Sequence, residues 1–415
     1  MFAIVAKRLV TCDPNWATAE NPLGVIEHGA VVVDGERIVD VLPREELFAR
    51  FPHIEVSADL DRHEIGTPAL VTPGLVDAHT HAPWMGSRDG EYAMRMAGAG
   101  YEEIAAAGGG IVSSMRAIRT ADVSDIERTL LARVRRMMSL GVTTIECKSG
   151  YGLDLESERK QLDAVKRVSV CPDVPRLVPT YLALHAVPPE ARADRAAYVR
   201  DVESISVPTI AAENLARYVD VYVDRAAFSV SEARPVLRCA LDAGLGVRLH
   251  VGQFADVGGA ELAAELGAAS VDHVEHIGAA GIDALARASV SVVLLPTASL
   301  TLGQTPPPVD AFRKAGIPLV VASDANPGTA PTESLPLAMA IAVRTYGLSV
   351  AETILGVTSR AAASLGLGAE CGMIRKGFRA DMVLWDLPHE NAIVQPWGVS
   401  RAVSVYRDGR SIHSC

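Results

Sequence analysis

Between about residue 66 and residue 370, eight apolar, β-branched runs recur, with alanine-rich stretches of helical character between them. The runs are Ala69–Asp77, Val142–Lys148, Val178–Leu184, Tyr218–Val223, Val247–His250, Ser270–Val274, Ser291–Leu295 and Leu319–Asp324. Helical stretches include Asp125–Ser139 and Glu333–Tyr346. Strand–helix alternation of this length predicts parallel β/α units, and eight of them predict a distorted (β/α)₈ TIM barrel.

The two chain ends have a different character. Ala30–Val33 and Ile38–Val41 flank a turn at Asp34-Gly35, which reads as a hairpin. Gly372–Gly377, Ala380–Trp385 and Val403–Gly409 read as short strands and turns. Residues 1–65 plus 371–415 are therefore expected to form one small β-sandwich domain, with residues 66–370 as the barrel. Thr305–Pro308 reads as a rigid loop.

The chain has 39 basic and 50 acidic residues, a net charge of −11, and no basic block, which argues against nucleic acid as a partner. Its six cysteines form no CxxC pair, so neither a zinc ribbon nor a disulfide framework is expected. No charge-free run of 18 or more apolar residues occurs, and the N-terminus reads as a strand rather than a signal peptide. No membrane association is expected, and a cytoplasmic location follows by elimination. A homodimer would be ordinary for such a chain.

The polar residues of interest fall at the C-terminal ends of the strand candidates, where barrels build their sites. Asp77-Ala-His79-Thr-His81 closes the first; histidines at i and i+2 of a strand point the same way and can face one ion. A lone histidine is more often structural, but His-x-His after Pro-Gly-Leu-Val-Asp is far more specific. His185, His250, His273 and Asp324 end later strands. His79, His81, His250 and Asp324 make a mixed N/O set that suits Zn²⁺ or Fe²⁺, and also Mn²⁺. Such an ion lowers the pKa of bound water to ~7 and polarises a carbonyl. Asp324 is placed to take the water's proton, and His273 to steady an oxyanion; the plainer role for His273 is a hydrogen-bonded core histidine. His276 reads as surface or outer layer. Lys148 reads as a structural ion pair rather than a carboxylated bridge between two metals, and Cys147 as packing.

Pro73–His81, Gly86–Arg88, Glu91–Arg95, Tyr101–Ser114, Lys148–Glu156, His185–Pro189 and Ser323–Thr329 together resemble the imidazolonepropionase family of the amidohydrolase superfamily, over most of the chain. The resemblance implies hydrolysis of the ring amide of 4-imidazolone-5-propanoate to N-formimino-glutamate. It implies His79, His81, His250 and Asp324 as metal ligands. It also implies Arg88, Tyr151, His185, Asn326, Gly328 and Thr329 as substrate contacts, with Gly328 and Thr329 offering donors to a carboxylate. A guanidinium fork suits a propanoate, although Arg88 also reads as a surface cation and Tyr151 as loop packing.

The sequence departs from the family in one segment. Where the pattern is His-Ala-Asp/Glu-Gln, this chain has His250-Val-Gly252-Gln253, so the acid that helps activate water through a neighbouring histidine is missing. Pro296–Thr305 lacks the usual aromatic and charged residues, and His276 replaces an aromatic. Two enzymatic alternatives follow: hydrolysis of a modified ring such as a hydantoin or thiohydantoin propanoate, and deamination of a heterocycle. Against deamination, position 253 is Gln, which cannot titrate. A non-catalytic scaffold is the third alternative, weakened by the four intact ligands.

Overall fold

The computed structural model describes residues 1–60, 69–99, 103, 109–225 and 227–414. Tyr101, Glu102 and Ile104–Gly108 of the glycine-rich segment, the expected domain boundary at 65/66 and Cys415 lie outside these residues.

All eight expected barrel strands form. They are β6 (Leu75–Asp77), β7 (Val142–Lys148), β8 (Arg176–Leu184), β9 (Tyr218–Val223), β10 (Gly246–Val251), β11 (Ser270–His273), β12 (Ser291–Leu294) and β13 (Leu319–Val321). They pair in parallel in sequence order from β6 to β13. The seam between β6 and β13 is closed by the metal-ligand candidates' own backbone. The His81 N–H donates to Ala325 O at 3.0 Å and the Asp324 N–H to His79 O at 3.1 Å. Below the seam, the Asp77 carboxylate accepts from the Ser323 N–H and hydroxyl. Burial nevertheless pushes that carboxyl up to about 7. Helices Val123–Met138, Leu155–Ser169 and Leu335–Tyr346 turn apolar faces onto the barrel. The resulting core includes Leu130, Val134, Leu162, Val165 and Met339.

The chain ends form a second, continuous eight-stranded sheet. It contains β1 (Phe2–Val10), β2 (Val25–Asp34), β3 (Arg37–Pro43), β4 (Glu55–Leu60), β5 (Leu70–Pro73), β14 (Met382–Trp385), β15 (Ala402–Arg407) and β16 (Arg410–Ser414). Both faces are apolar: Ala3, Val5 and Val32 pack on one side, Ile4, Val31 and Met382 on the other. The period-2 alternation of β1 divides between these two clusters. The hairpin at Gly35 (φ +56°) forms as expected.

Two expectations need correction. Ala69–Asp77 is not one strand. It breaks at Gly74, so β5 joins the terminal sheet between β1 and β14 while β6 starts the barrel. A Cβ at Gly74 would lie 2.1 Å from Thr143 Oγ1 of β7, so only glycine lets the chain cross there. Gly372–Gly377 forms bends and a turn rather than a strand; its Ile374 plugs the terminal sheet's core instead. Gly74→Ala should destabilise by about 1–3 kcal/mol, the cost of overpacking; a urea midpoint unchanged from wild type would show that the crossing has slack.

The five described cysteines are free thiols. Among the described residues, no helix is long and apolar enough to cross a membrane.

Candidate metal centre and substrate cavity

The two histidines after β6 are buried beneath a cavity of about 770 Å³. His79 Nδ1 lies 2.6 Å from Asp272 Oδ2 on β11, which orients its Nε2 inward. His250, on β10, repeats the device, with Nδ1 3.1 Å from Asp220 Oδ1 of β9. Both Nε2 atoms are buried without a hydrogen-bond partner, as is Asp324 Oδ1. That oxygen lies 3.4 Å from His79 Nε2 and 3.4 Å from His81 Nε2. Candidate ligand atoms of His79, His81 and His250 all fall within 4.8 Å of one another. Buried, unsatisfied polar atoms are rare because each carries a desolvation cost. Imidazole nitrogens and a carboxylate oxygen converging without hydrogen bonds call for a cation, a place that a proton on His79 takes only in part. The three imidazoles and the carboxylate fit one divalent ion, and the carboxylates behind His79 and His250 are the orienting partners usual for metal-bound imidazoles.

The charges around the centre follow from burial and these contacts. Burial and the Lys148 ammonium oppose a proton on His79, but Asp272 and Asp324 outweigh them and raise it to about 9. Burial lowers His81 to about 4 and His273 to about 3, so both rings are neutral near pH 7. Asp324 is held well below the usual carboxylate range: burial pushes it up, but contacts with His79 and His81 prevail.

Lys148 is the structural cation expected from the sequence. Its Nζ lies 2.7 Å from Asp220, 2.9 Å from Glu146 and 3.6 Å from Asp272, all fully buried. Asp220, His250 and Asp272 also cluster closely enough to suggest a second metal position, but the ammonium already supplies positive charge to both of those carboxylates. Cys147 packs in the core as expected.

Backbone strain accompanies the chemistry. His273 (φ +82°), Val274 (φ +65°) and Asp324 (φ +54°) all have left-handed backbone, which non-glycine residues rarely adopt and which clusters at functional sites.

The cavity walls gather the remaining candidates. Tyr151 follows β7 on a loop held by the buried Glu158 carboxylate, which accepts N–H groups of Gly150, Gly152 and Leu153. His185 Nδ1 lies 2.7 Å from Gly150 O, and its ring stacks on His81 at 5.5 Å. Tyr151 lies 5.4 Å from the same ring. Arg88 is mostly buried and paired with Glu91 at 2.7 Å. It lies against Gly328, where a Cβ would sit 2.4 Å from its Nη1. Arg88, Tyr151, His185, Asn326 and Thr329 all line the cavity. The N–H groups of Gly328 and Thr329 both donate to Asn326 Oδ1 at 2.8 Å, so the loop uses those donors internally.

His276 is exposed, whereas its neighbour Glu275 is buried. Glu275, Asp220, Asp272, Glu146, Tyr222 and Gln253 were not among the sequence candidates. Asp220 and Asp272 had a usable signal, since a carboxylate inside an apolar barrel strand must be paired. Gly252 has φ +63° and its carbonyl accepts the His276 N–H at 2.7 Å.

The model of the Amidohydrolase family matches residues 219–412, and that of the Imidazolonepropionase-like composite domain of bacteria matches residues 29–53. An imidazolonepropionase of Paracoccus denitrificans is 44% identical, covering 92% of this chain and 92% of that one. One from a Polaromonas species is 43% identical, covering 96% and 92%. Among solved structures, a triazine hydrolase variant superposes with a TM-score of 0.74 at 16% identity, covering 100% of this chain and 95% of that one. A Xanthomonas campestris adenosine deaminase with bound zinc gives 0.69 at 19%, covering 99% and 92%. The distant structures establish the barrel alone. The close relatives, matched nearly end to end, establish that this chain belongs to the imidazolonepropionase family of amidohydrolases.

Proposed function

We propose that this chain hydrolyses the ring amide of 4-imidazolone-5-propanoate to N-formimino-glutamate. The observation that carries the reading is the convergence of three buried imidazoles and Asp324 at the floor of a cavity walled by Arg88, Tyr151 and His185. Asp324 and the three imidazoles would hold one Zn²⁺ or Fe²⁺, the ions best suited to an N₃O set, with Mn²⁺ also compatible. The ion, when bound, polarises the ring carbonyl and makes its water a nucleophile near pH 7.

The protein's own groups do the rest. Asp324 accepts the proton of the attacking water as its oxygen adds to the carbonyl carbon. His273, neutral by burial, donates a hydrogen bond to the developing oxyanion. The C–N bond then breaks, and the proton held by Asp324 passes to the departing ring nitrogen. Arg88 faces the propanoate, Tyr151 and His185 orient the ring, and Asn326, Gly328 and Thr329 shape the loop beside Arg88.

Deamination finds no support, because Gln253 cannot titrate and its side-chain oxygen accepts the Tyr222 hydroxyl at 2.6 Å. The near full-length relatives give no ground for another ring or for a scaffold.

The test is an assay of the metal-loaded protein on 4-imidazolone-5-propanoate beside Arg88→Ala. A hydrogen bond to a charged group contributes about 1.5–3 kcal/mol. KM should therefore rise roughly 10- to 100-fold with kcat changed little. No turnover by wild type sinks the function; an unchanged KM removes Arg88 from the substrate.

A further inference from the structure

Behind His273, which lines the cavity, lies a buried acid that the reaction as described leaves unused. The Glu275 side chain has no exposure, and its two oxygens have different surroundings. Oε1 accepts the Ser299 hydroxyl, and Ser299 in turn accepts the Tyr346 hydroxyl at 2.6 Å. Oε2 has no hydrogen-bond partner. It lies 3.9 Å from His273 Nδ1, which is also buried and without a partner. A small rotation, or one bridging water, would satisfy both. The left-handed turn at His273 and Val274 ends β11 and brings the two side chains to this separation.

We propose that Glu275 is a positioning residue that, as the neutral acid, donates its Oε2–H to His273 Nδ1 and so keeps the ring's one proton on Nε2, with Ser299 and Tyr346 clamping the carboxyl from behind. The inference rests on the catalytic role given to His273 above. A neutral imidazole has one N–H, so a ring that donates from Nε2 has a bare Nδ1 that needs a donor. Burial pushes the Glu275 carboxyl up to about 7, and its Oε2 is the group placed to supply that hydrogen. The chain supplies this acid from the end of β11, whereas position 252, at the end of β10, is a glycine with no side chain to give.

The experiment compares wild type, Glu275→Leu and Ser299→Ala as metal-loaded protein. Metal content, kcat and KM on 4-imidazolone-5-propanoate, and the imidazole ¹⁵N shifts of His273 are read together. Orienting partners one layer behind a reacting group typically change activity by about 10- to 100-fold. Glu275→Leu, which can neither donate nor accept, should keep its metal, lose roughly that much kcat, hold KM within about threefold and move the His273 ¹⁵N pattern toward the other tautomer. Ser299→Ala should move the same readouts less. It also carries the test should Glu275→Leu fail to fold. The proposal is overturned by unmoved His273 shifts, by kcat within about twofold of wild type, or by a loss that merely follows lost metal. The ¹⁵N comparison needs no substrate. If wild type does not open this ring, the functional reading falls while the shifts still decide whether Glu275 holds His273.

Discussion

Asp324→Asn should lower kcat/KM by about 10³-fold or more while leaving the barrel folded. The change is nearly isosteric and keeps the backbone N–H that closes the seam onto His79 O. What it removes is the charge and the proton acceptor. The carboxylate stands 3.4 Å from Nε2 of both His79 and His81 and is held ionised by them. A general base contributes about 10²–10⁴-fold, and a weakened ligand set adds to that loss. Metal analysis separates the two roles. Metal retained with activity lost assigns Asp324 mainly to proton transfer, because three imidazoles still hold the ion. Metal and activity lost together make it chiefly a ligand, the behaviour also expected of His79→Ala. Retention of more than roughly a tenth of wild-type kcat/KM would exclude Asp324 as the base.

Such a variant could be named from sequence because the barrel places its chemistry where the patterns end. Each apolar run is a strand buried on both faces, so a histidine or aspartate at its last position must lie at the mouth. His79, His81, His250, His273 and Asp324 were legible for that reason. The layer behind them was less legible. Asp220 and Asp272 sit inside apolar runs, and only the folded chain shows that one backs His250 and the other His79. Glu275 follows the strand candidate Ser270–Val274, and nothing local announces two consecutive left-handed residues at His273 and Val274. Gly74 hid a domain crossing, since an apolar run gives no sign of a change of sheet unless the close approach of Thr143 is known. The loop after β13 was read as a source of donors, and it is one, but Asn326 uses the N–H groups of Gly328 and Thr329.

Lys148→Met should be the most destabilising single change in the barrel interior. Methionine nearly matches the shape of lysine and removes only the ammonium. It leaves Glu146, Asp220 and Asp272 fully buried, with Arg248 Nη2, 3.7 Å from Asp272, and the protonated His79 ring, 2.6 Å from Asp272, as the remaining positive groups beside them. Removing one partner of a buried ion pair costs about 3–5 kcal/mol because the other charge stays uncompensated. In wild type, against the effect of burial, Asp220 and Asp272 are held below the usual carboxylate range by His250, Arg248, His79 and Lys148. A group whose folded pKa is depressed contributes stability above its unfolded pKa that is lost as pH falls, and the variant lacks the share supplied by Lys148. The defect should therefore be full near pH 7 and shrink as pH drops below about 4, the unfolded carboxylate value, measured by urea unfolding of chelator-treated wild type and variant. Metal affinity should fall with it, by roughly 10- to 100-fold, because Asp220 and Asp272 lose the ammonium that fixes them behind His250 and His79. A stability difference that stays flat with pH would mean that the cost is packing rather than charge. A variant as stable as wild type at pH 8 would mean that Arg248 and His79 balance the three carboxylates, and that Lys148 is not the cation that holds the metal site in shape.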